Sequence, residues 1–270
     1  MATRTYTIND KKHEEMELVM ARQSPFKDNK VIFPNLKYLY TDWSEAIEEI
    51  FDMSQLGDGE TYDLVNTSLK TLHIYNAHMM NHLFGDPEYA QPSNSFVFQN
   101  LESLYVRECS RLQSFAPSFM SFHKLKTLKV SGCHGLTYLF ASSTAATLVH
   151  LRVMSIIDCK RMREIINRDY YKECQIVESE HHEFVFQRLE ELELHDLPSL
   201  ESFYSGNKVV SFPKLEKISL KGCHKMRRFS HGNICTSTLV NTIKAGGVNI
   251  WEGDINTTLT KIWEKNVIQP

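Results

Sequence analysis

Apolar residues recur along the chain in a fixed order. The segment Phe98-Gln-Asn-Leu101-Glu-Ser-Leu104-Tyr-Val106-Arg-Glu-Cys109 returns as Phe122-His-Lys-Leu125-Lys-Thr-Leu128-Lys-Val130-Ser-Gly-Cys133. It returns again as Phe212-Pro-Lys-Leu215-Glu-Lys-Ile218-Ser-Leu220-Lys-Gly-Cys223, with weaker copies beginning at Phe33, Asn66, Leu148 and Phe186. The first Leu of each copy serves as an anchor: Leu36, Leu69, Leu101, Leu125, Leu151, Leu189 and Leu215, at intervals of 33, 32, 24, 26, 38 and 26 residues. Three and five residues past the anchors, thirteen of the fourteen positions hold Leu, Val, Ile or Met; Thr41 is the exception. That alternation has period two and predicts one short strand per copy, apolar on one side.

The positions after the strand extend the pattern. Eight residues past the anchor stand Cys109, Cys133, Cys159 and Cys223, with Leu197 and Ala77 in two other copies. Such modest side chains can turn inward where the strand passes into a return loop. Apolar residues follow at eleven (Met80, Leu112, Leu136, Met162, Leu200, Met226) and at fourteen (Leu83, Phe115, Leu139, Ile165, Phe203, Phe229). Three before the anchor, Phe33, Phe98, Phe122, Phe186 and Phe212 form a candidate aromatic spine. One copy cannot bury these faces alone, whereas stacked neighbours share one core. The expected fold is therefore α/β: a curved leucine-rich-repeat solenoid with a parallel sheet on its concave face and loops and short helices on its convex face. About seven repeats would span residues 31–230. Residues 1–30 would be an N-terminal cap or remnant, with a short helix over Lys11–Met20, and 231–270 a C-terminal cap. Residues 52–66, 85–97 and 167–185 exceed the repeat and read as insertions, the last polar and charged.

Composition narrows the function. Thirty Lys and Arg against 33 Asp and Glu leave a net charge of −3, no footprint for general nucleic-acid binding. No apolar run reaches the roughly 18 residues of a membrane span, and the polar start lacks a signal peptide's apolar stretch. Six Cys in 270 residues are too sparse for a disulfide scaffold. These features predict a cytoplasmic protein with reduced thiols.

Catalytic signatures are missing: there is no Gly-x-x-x-x-Gly-Lys-Ser/Thr, Gly-x-Gly-x-x-Gly, Gly-x-Ser-x-Gly, His-Glu-x-x-His or Cys-x-x-Cys. The chain is expected to be no enzyme and to hold no cofactor or metal. His78-Met-Met-Asn-His82 has a helical spacing but lacks a zinc peptidase's Glu, and the Cys positions read as core. Without a phosphate-cradling loop, the chain should bind neither ATP nor ADP; a calorimetric titration that stays flat is the expected result.

The sequence resembles the leucine-rich-repeat region of plant intracellular nucleotide-binding leucine-rich-repeat immune receptors, specifically the coiled-coil class. The resemblance rests on Phe33-Pro34 and Phe212-Pro213 before Leu-x-x-Leu-type runs and on the Cys repeats. It rests also on the acidic stretch running into Phe184-Val-Phe186-Gln-Arg-Leu-Glu-Glu-Leu-Glu-Leu194, and on the tail Trp251-Glu-Gly-Asp-Ile-Asn-Thr-Thr258. It covers residues 31–262 and implies a recognition module acting in defence. The implied partners are protein: a pathogen effector, a guarded host protein or the receptor's own upstream domains. Those upstream domains are not in this chain, so a C-terminal fragment or truncated gene product is expected. A substrate-reading adaptor of a ubiquitin ligase is the alternative, although no F-box-like module precedes the repeats.

Strand alternation also names the binding residues. With anchors, +3 and +5 facing inward, +2, +4 and +6 face out of the concave sheet. The candidate protein-binding residues there are Tyr38, Tyr40, His73, Tyr75, Tyr105, Arg107, Lys129, Glu191, Glu193, His195, Lys217 and Lys221. Asp42, Thr71, Ser103, Thr127, Ser131, Ser155, Ile157 and Ser219 share the same face. Clustered Tyr and Arg are typical interface anchors, which places Tyr75, Tyr105 and Arg107 near the centre.

Overall fold

The computed structural model describes residues 4–8, 16–20, 37–42, 68–83, 100–116, 120–167, 183–236, 242–245 and 247–264. Phe33, Leu36, Phe98 and the insertions at 52–66, 85–97 and 168–182 lie outside the described residues. In chain order the strands are β1 (Arg4–Ile8), β2 (Met16–Met20), β3 (Tyr38–Asp42), β4 (Thr71–Tyr75), β5 (Ser103–Arg107), β6 (Thr127–Ser131) and β7 (Phe140–Ala141). The helix α1 (Ser142–Ala145) precedes β8 (Val153–Ile157), β9 (Glu164–Asn167), β10 (Glu183–Val185), β11 (Glu191–His195) and β12 (Ser202–Tyr204). Then come β13 (Val209–Phe212), β14 (Lys217–Lys221), β15 (Ile234–Thr236), β16 (Ile243–Ala245), β17 (Val248–Ile250) and the helix α2 (Ile255–Glu264).

Eleven of these strands make one sheet, ordered β1-β2-β3-β4-β5-β6-β8-β11-β14-β16-β17. From β2 to β16 every pairing is parallel. All seven repeats supply one strand at +2 to +6, in matching register, so equivalent side chains form rows across the sheet. The rows continue outside the strands: the +1 amide donates to the preceding repeat's +1 carbonyl at 2.8–2.9 Å, from Lys70 to Lys37 through to Glu216 to Glu190.

The buried side is what the alternation predicts. From Leu69 onward every anchor and every +3, +5, +8, +11 and +14 residue is buried, and together they form one continuous core. The return segments differ from expectation. Two three-stranded parallel sheets, β10-β13-β15 and β12-β9-β7, occupy them, and α1 is four residues long. These segments (Glu-Ile-Ile-Asn, Ser-Phe-Tyr, Val-Val-Ser-Phe) are rich in aromatic and β-branched residues, which favour extended backbone over helix. The aromatic spine is partial. Phe186 and Phe212 stack at 5.2 Å, while Leu148 interrupts the row beside buried Phe122. Where α1 displaces the strand there, the Thr147 hydroxyl accepts the Phe122 N–H at 3.0 Å.

The chain closes both ends of the sheet with antiparallel pairs. At one end β1 pairs β2, so residues 16–20 are a strand and the helix expected over Lys11–Met20 is overturned there. Arg-Thr-Tyr-Thr-Ile is a β-prone partner, and pairing the open edge of β3 outweighs the local helical pattern. At the other end β16 extends the parallel ladder beyond β14, β17 turns back on it, and α2 buries Ile255, Leu259 and Ile262 in the core. Asp254 caps α2 by accepting the Thr257 N–H at 2.9 Å. The side chain of Asn256 replaces a missing strand: its Oδ1 accepts the Phe229 N–H at 2.8 Å and its Nδ2 donates to the Ser230 carbonyl at 3.1 Å. Trp263 Nε1 donates to the Met226 carbonyl at 2.7 Å. The Asn256-Thr-Thr258 sequon is thus occupied by structural work.

The cysteine row lies within this core. Cys109, Cys133, Cys159 and Cys223 are fully buried free thiols, each 3.5 Å from the carbonyl two residues before it. Hydrogen bonds with the Cys109 and Cys159 thiols, and then burial, push the Cys133 thiol well up. Burial pushes Cys223 up to about 12. The reactive thiolate form is therefore scarce at Cys133 and Cys223 at neutral pH, and burial shields all four sulfurs from reagents. These four should react slowly with thiol reagents while exposed Cys235 reacts quickly, and elemental analysis should find no bound zinc. Cys133→Ala should cost roughly 1–2 kcal/mol through lost packing, read from a denaturant midpoint.

Candidate functional site

The open side of the sheet carries three rows, one for each outward position. The middle row runs Tyr40, His73, Tyr105, Lys129, Ser155, Glu193, Ser219 and Lys244. The row toward the strands' C-terminal ends contains Tyr75, Arg107, Ser131, Ile157, His195 and Lys221. The opposite row holds Tyr38, Thr71, Ser103, Thr127, Val153, Glu191 and Lys217. All twelve candidate residues lie on this one face.

Chemistry divides the face. On β3 to β5, the His73 ring stacks between Tyr40 at 4.0 Å and Tyr105 at 4.2 Å, with interplanar angles of 22° and 21°. Parallel strands in register dictate this, because neighbouring side chains in a row stand about 4.8 Å apart. His73 Nδ1 lies 2.9 Å from the Tyr75 hydroxyl. Burial lowers the His73 pKa to about 4, so the imidazole is neutral at physiological pH. Burial raises the Tyr40 hydroxyl, and it raises Tyr75 against the opposing pull of Arg107. The result is an uncharged, half-buried aromatic platform with one guanidinium at its border. Arg107 itself is exposed and pairs with Glu108 at 2.9 Å.

Beyond β6 the face becomes ionic, and much of its charge is internally matched. Ser155 donates to Glu193 at 2.7 Å; His195 Nδ1 lies 3.2 Å from Glu193, and its Nε2 lies 2.8 Å from the Ser219 hydroxyl. Glu191 pairs with Lys217 across the sheet. On the adjoining edge, Arg152 grips Glu190 with two bonds of 3.0 and 2.9 Å, and Lys126 pairs with Glu102 at 2.6 Å. Glu190 is consequently held below the ordinary carboxylate range, first by its bond to Arg152.

Two placements depart from expectation. Ser155 points to the open side but is only 5 % exposed, because Glu193 covers it. Val153 joins Ile157 on the open side, making β8 an aliphatic strand amid polar neighbours. Its outward position was available from the alternation alone. His78 and His82 fall in a turn and a single bridge, not on a helix, so their spacing does not form a helical pair.

A leucine-rich-repeat sheet with this register has a family. The one described as plant disease resistance protein RPS2-like, leucine-rich repeats, matches residues 22–121 and 116–235. The chain belongs to that family. Among curated relatives it is 28% identical over 141 residues to disease resistance protein SUMM2 of Arabidopsis thaliana, covering 48% of this chain and 14% of that protein. It is 29% identical over 145 residues to probable disease resistance protein At4g27220 of the same plant, covering 51% of this chain and 15% of that one. The chain thus spans about a seventh of the length of these relatives. No solved structure matches it. Membership in this family of plant disease resistance repeats supports a defence-related module, and leucine-rich-repeat domains generally mediate protein interactions without catalysis. No helix among the described residues is long and apolar enough to cross a membrane.

Proposed function

We propose that the chain is a non-catalytic recognition module, the ligand-sensing or autoregulatory part of a cytoplasmic plant immune receptor. Its repeats, residues 31–230, form a solenoid with the main sheet on the concave side, between an N-terminal segment at 1–30 and a C-terminal cap at 231–270. A protein docks on the open face: an effector, a guarded host protein or the receptor's own upstream domains. The observation that carries this reading is the aromatic platform Tyr40–His73–Tyr105, continued by Tyr75 and Arg107. Stacked rings are already ordered, so a partner gains contact area at little entropic cost.

Replacing Tyr75, Tyr105 and Arg107 together with Ala should weaken partner binding by about 2 kcal/mol or more while leaving the fold intact. Exposed Arg163, on the return side, should tolerate Ala with no effect on binding. The test is quantitative affinity capture from plant extract with the wild-type chain, the triple variant and Arg163→Ala as baits. A specific protein retained by the first and third but lost by the second supports the face; equal retention by all three refutes it.

A further inference from the structure

Charge is distributed unevenly over the molecule. The whole chain carries −3, yet on strands β4 to β6, β8, β11, β14 and β16 the open face holds Arg107, Lys129, Lys217, Lys221 and Lys244 against Glu191 and Glu193. Both acids are engaged internally, by Lys217 and by Ser155 with His195. Lys129 is exposed and has no side-chain partner among the described residues. Among the described residues, the ion pair of Arg107 is with its solvent-exposed neighbour Glu108, a pair of the kind that contributes little and exchanges easily.

Relief singles out one place on this face. Between Tyr105 and Arg107 on one side and Glu193 and His195 on the other, β6 and β8 present mostly short side chains: Thr127, Ser131, Val153, Ser155 and Ile157. Lys129 rises from this low ground one strand from Tyr105, and Arg107 stands beside Ser131 in register. Two cations thus flank a hydroxyl, next to an aliphatic floor, one strand spacing away.

The geometry points to an acidic segment of a partner protein as the occupant, its carboxylate held between Arg107 and Lys129 over Ser131 and a neighbouring apolar side chain seated on Val153 and Ile157. This rests on the open face being the docking surface, and it adds which chemistry that surface selects. A basic segment would face Lys129 and Arg107, with Glu191 and Glu193 already engaged. Like-charge juxtaposition of that kind excludes partners.

The test uses a random short-peptide library displayed on phage, panned against the full chain, with recovered peptides remade synthetically and titrated. Peptides carrying Asp or Glu beside an aliphatic or aromatic residue should be enriched. Lys129→Glu, a change at an exposed position, should weaken them roughly tenfold or more, as should Ile157→Ser; Lys225→Glu, in the turn after β14, should not. Exchanging the peptide's acid for Lys should restore binding to Lys129→Glu. Absent enrichment, enriched peptides without acids, or equal losses in Lys129→Glu and Lys225→Glu would each overturn the proposal. Binding lost in Tyr75→Ala and Tyr105→Ala but kept in Lys129→Glu would overturn it and leave the docking face standing; binding unmoved by any of these changes would remove both.

Discussion

Phe203→Ala should cost about 3–5 kcal/mol and should open the C-terminal repeats before the others. Phe203 is fully buried and sits among three further rings: Phe229 stacked at 4.7 Å, Phe212 edge-on at 5.6 Å and Phe186 edge-on at 5.8 Å. Its removal leaves a cavity walled by rigid aromatics, which cannot collapse to fill it. Phe203→Leu keeps most of the volume and should cost less, about 1–2 kcal/mol. Because each repeat touches only its neighbours, the loss is local in origin. Hydrogen exchange should accelerate first at β11, β14 and α2, with β4 to β6 remaining protected. Uniform acceleration across the sheet would show instead that the stack opens as one cooperative unit.

The core was legible in the sequence because its signal is redundant. A single Leu-x-x-Leu-x-Leu says little, but a register repeated along the chain fixes strand, face and neighbour together. Cys109, Cys133, Cys159 and Cys223 could be assigned inward because Leu197 and Ala77 occupy equivalent positions, and a metal ligand could not be so replaced. The ends were harder. Lys11–Met20 offers a plausible helical pattern, and only the open edge of β3, a non-local demand, makes Met16–Met20 a strand. Asn256 opens an Asn-Thr-Thr triplet in the tail; that its amide finishes the ladder of Phe229 and Ser230 depends on where α2 docks.

The candidate face was legible in membership but not in state. Alternation named its residues, yet it could not say that His73 lies between two rings, or that Glu193 reaches over Ser155. Those facts depend on rotamers chosen across strands drawn from repeats 24 to 38 residues apart. The same limit hid the split between a neutral aromatic end and an ionic end whose carboxylates are already matched.

One repeat position carried a signal that the apolar pattern passes over. Seven residues after each anchor from Leu69 onward, the backbone is left-handed: Asn76, Glu108, Gly132, Asp158, Asp196 and Gly222 have φ between 52° and 66°. Strict alternation would turn the next residue outward; this one reversal brings the Cys, Leu or Ala at +8 into the core. Gly, Asn and Asp tolerate such backbone, and five of the six residues are of these types. Gly222→Val should therefore cost about 2–3 kcal/mol, combining left-handed strain with crowding. A Cβ there would lie 2.7 Å from Asp196 Oδ1, which can rotate away, but also 3.0 Å from its Cα and 3.1 Å from its N, which cannot. Gly132→Val, whose nearest contacts are 3.3–3.4 Å from Glu108, should cost less. Glu108→Gly should act in the opposite direction, raising stability by up to about 1 kcal/mol as the strain of a non-glycine residue is removed; the exposed pair with Arg107 offsets little of this. Urea midpoints of the three variants should rank Glu108→Gly above wild type, then Gly132→Val, then Gly222→Val. A Gly222→Val chain as stable as wild type would show that the strand does not leave the sheet through a left-handed residue, and the inward turn of Cys223 would need another cause.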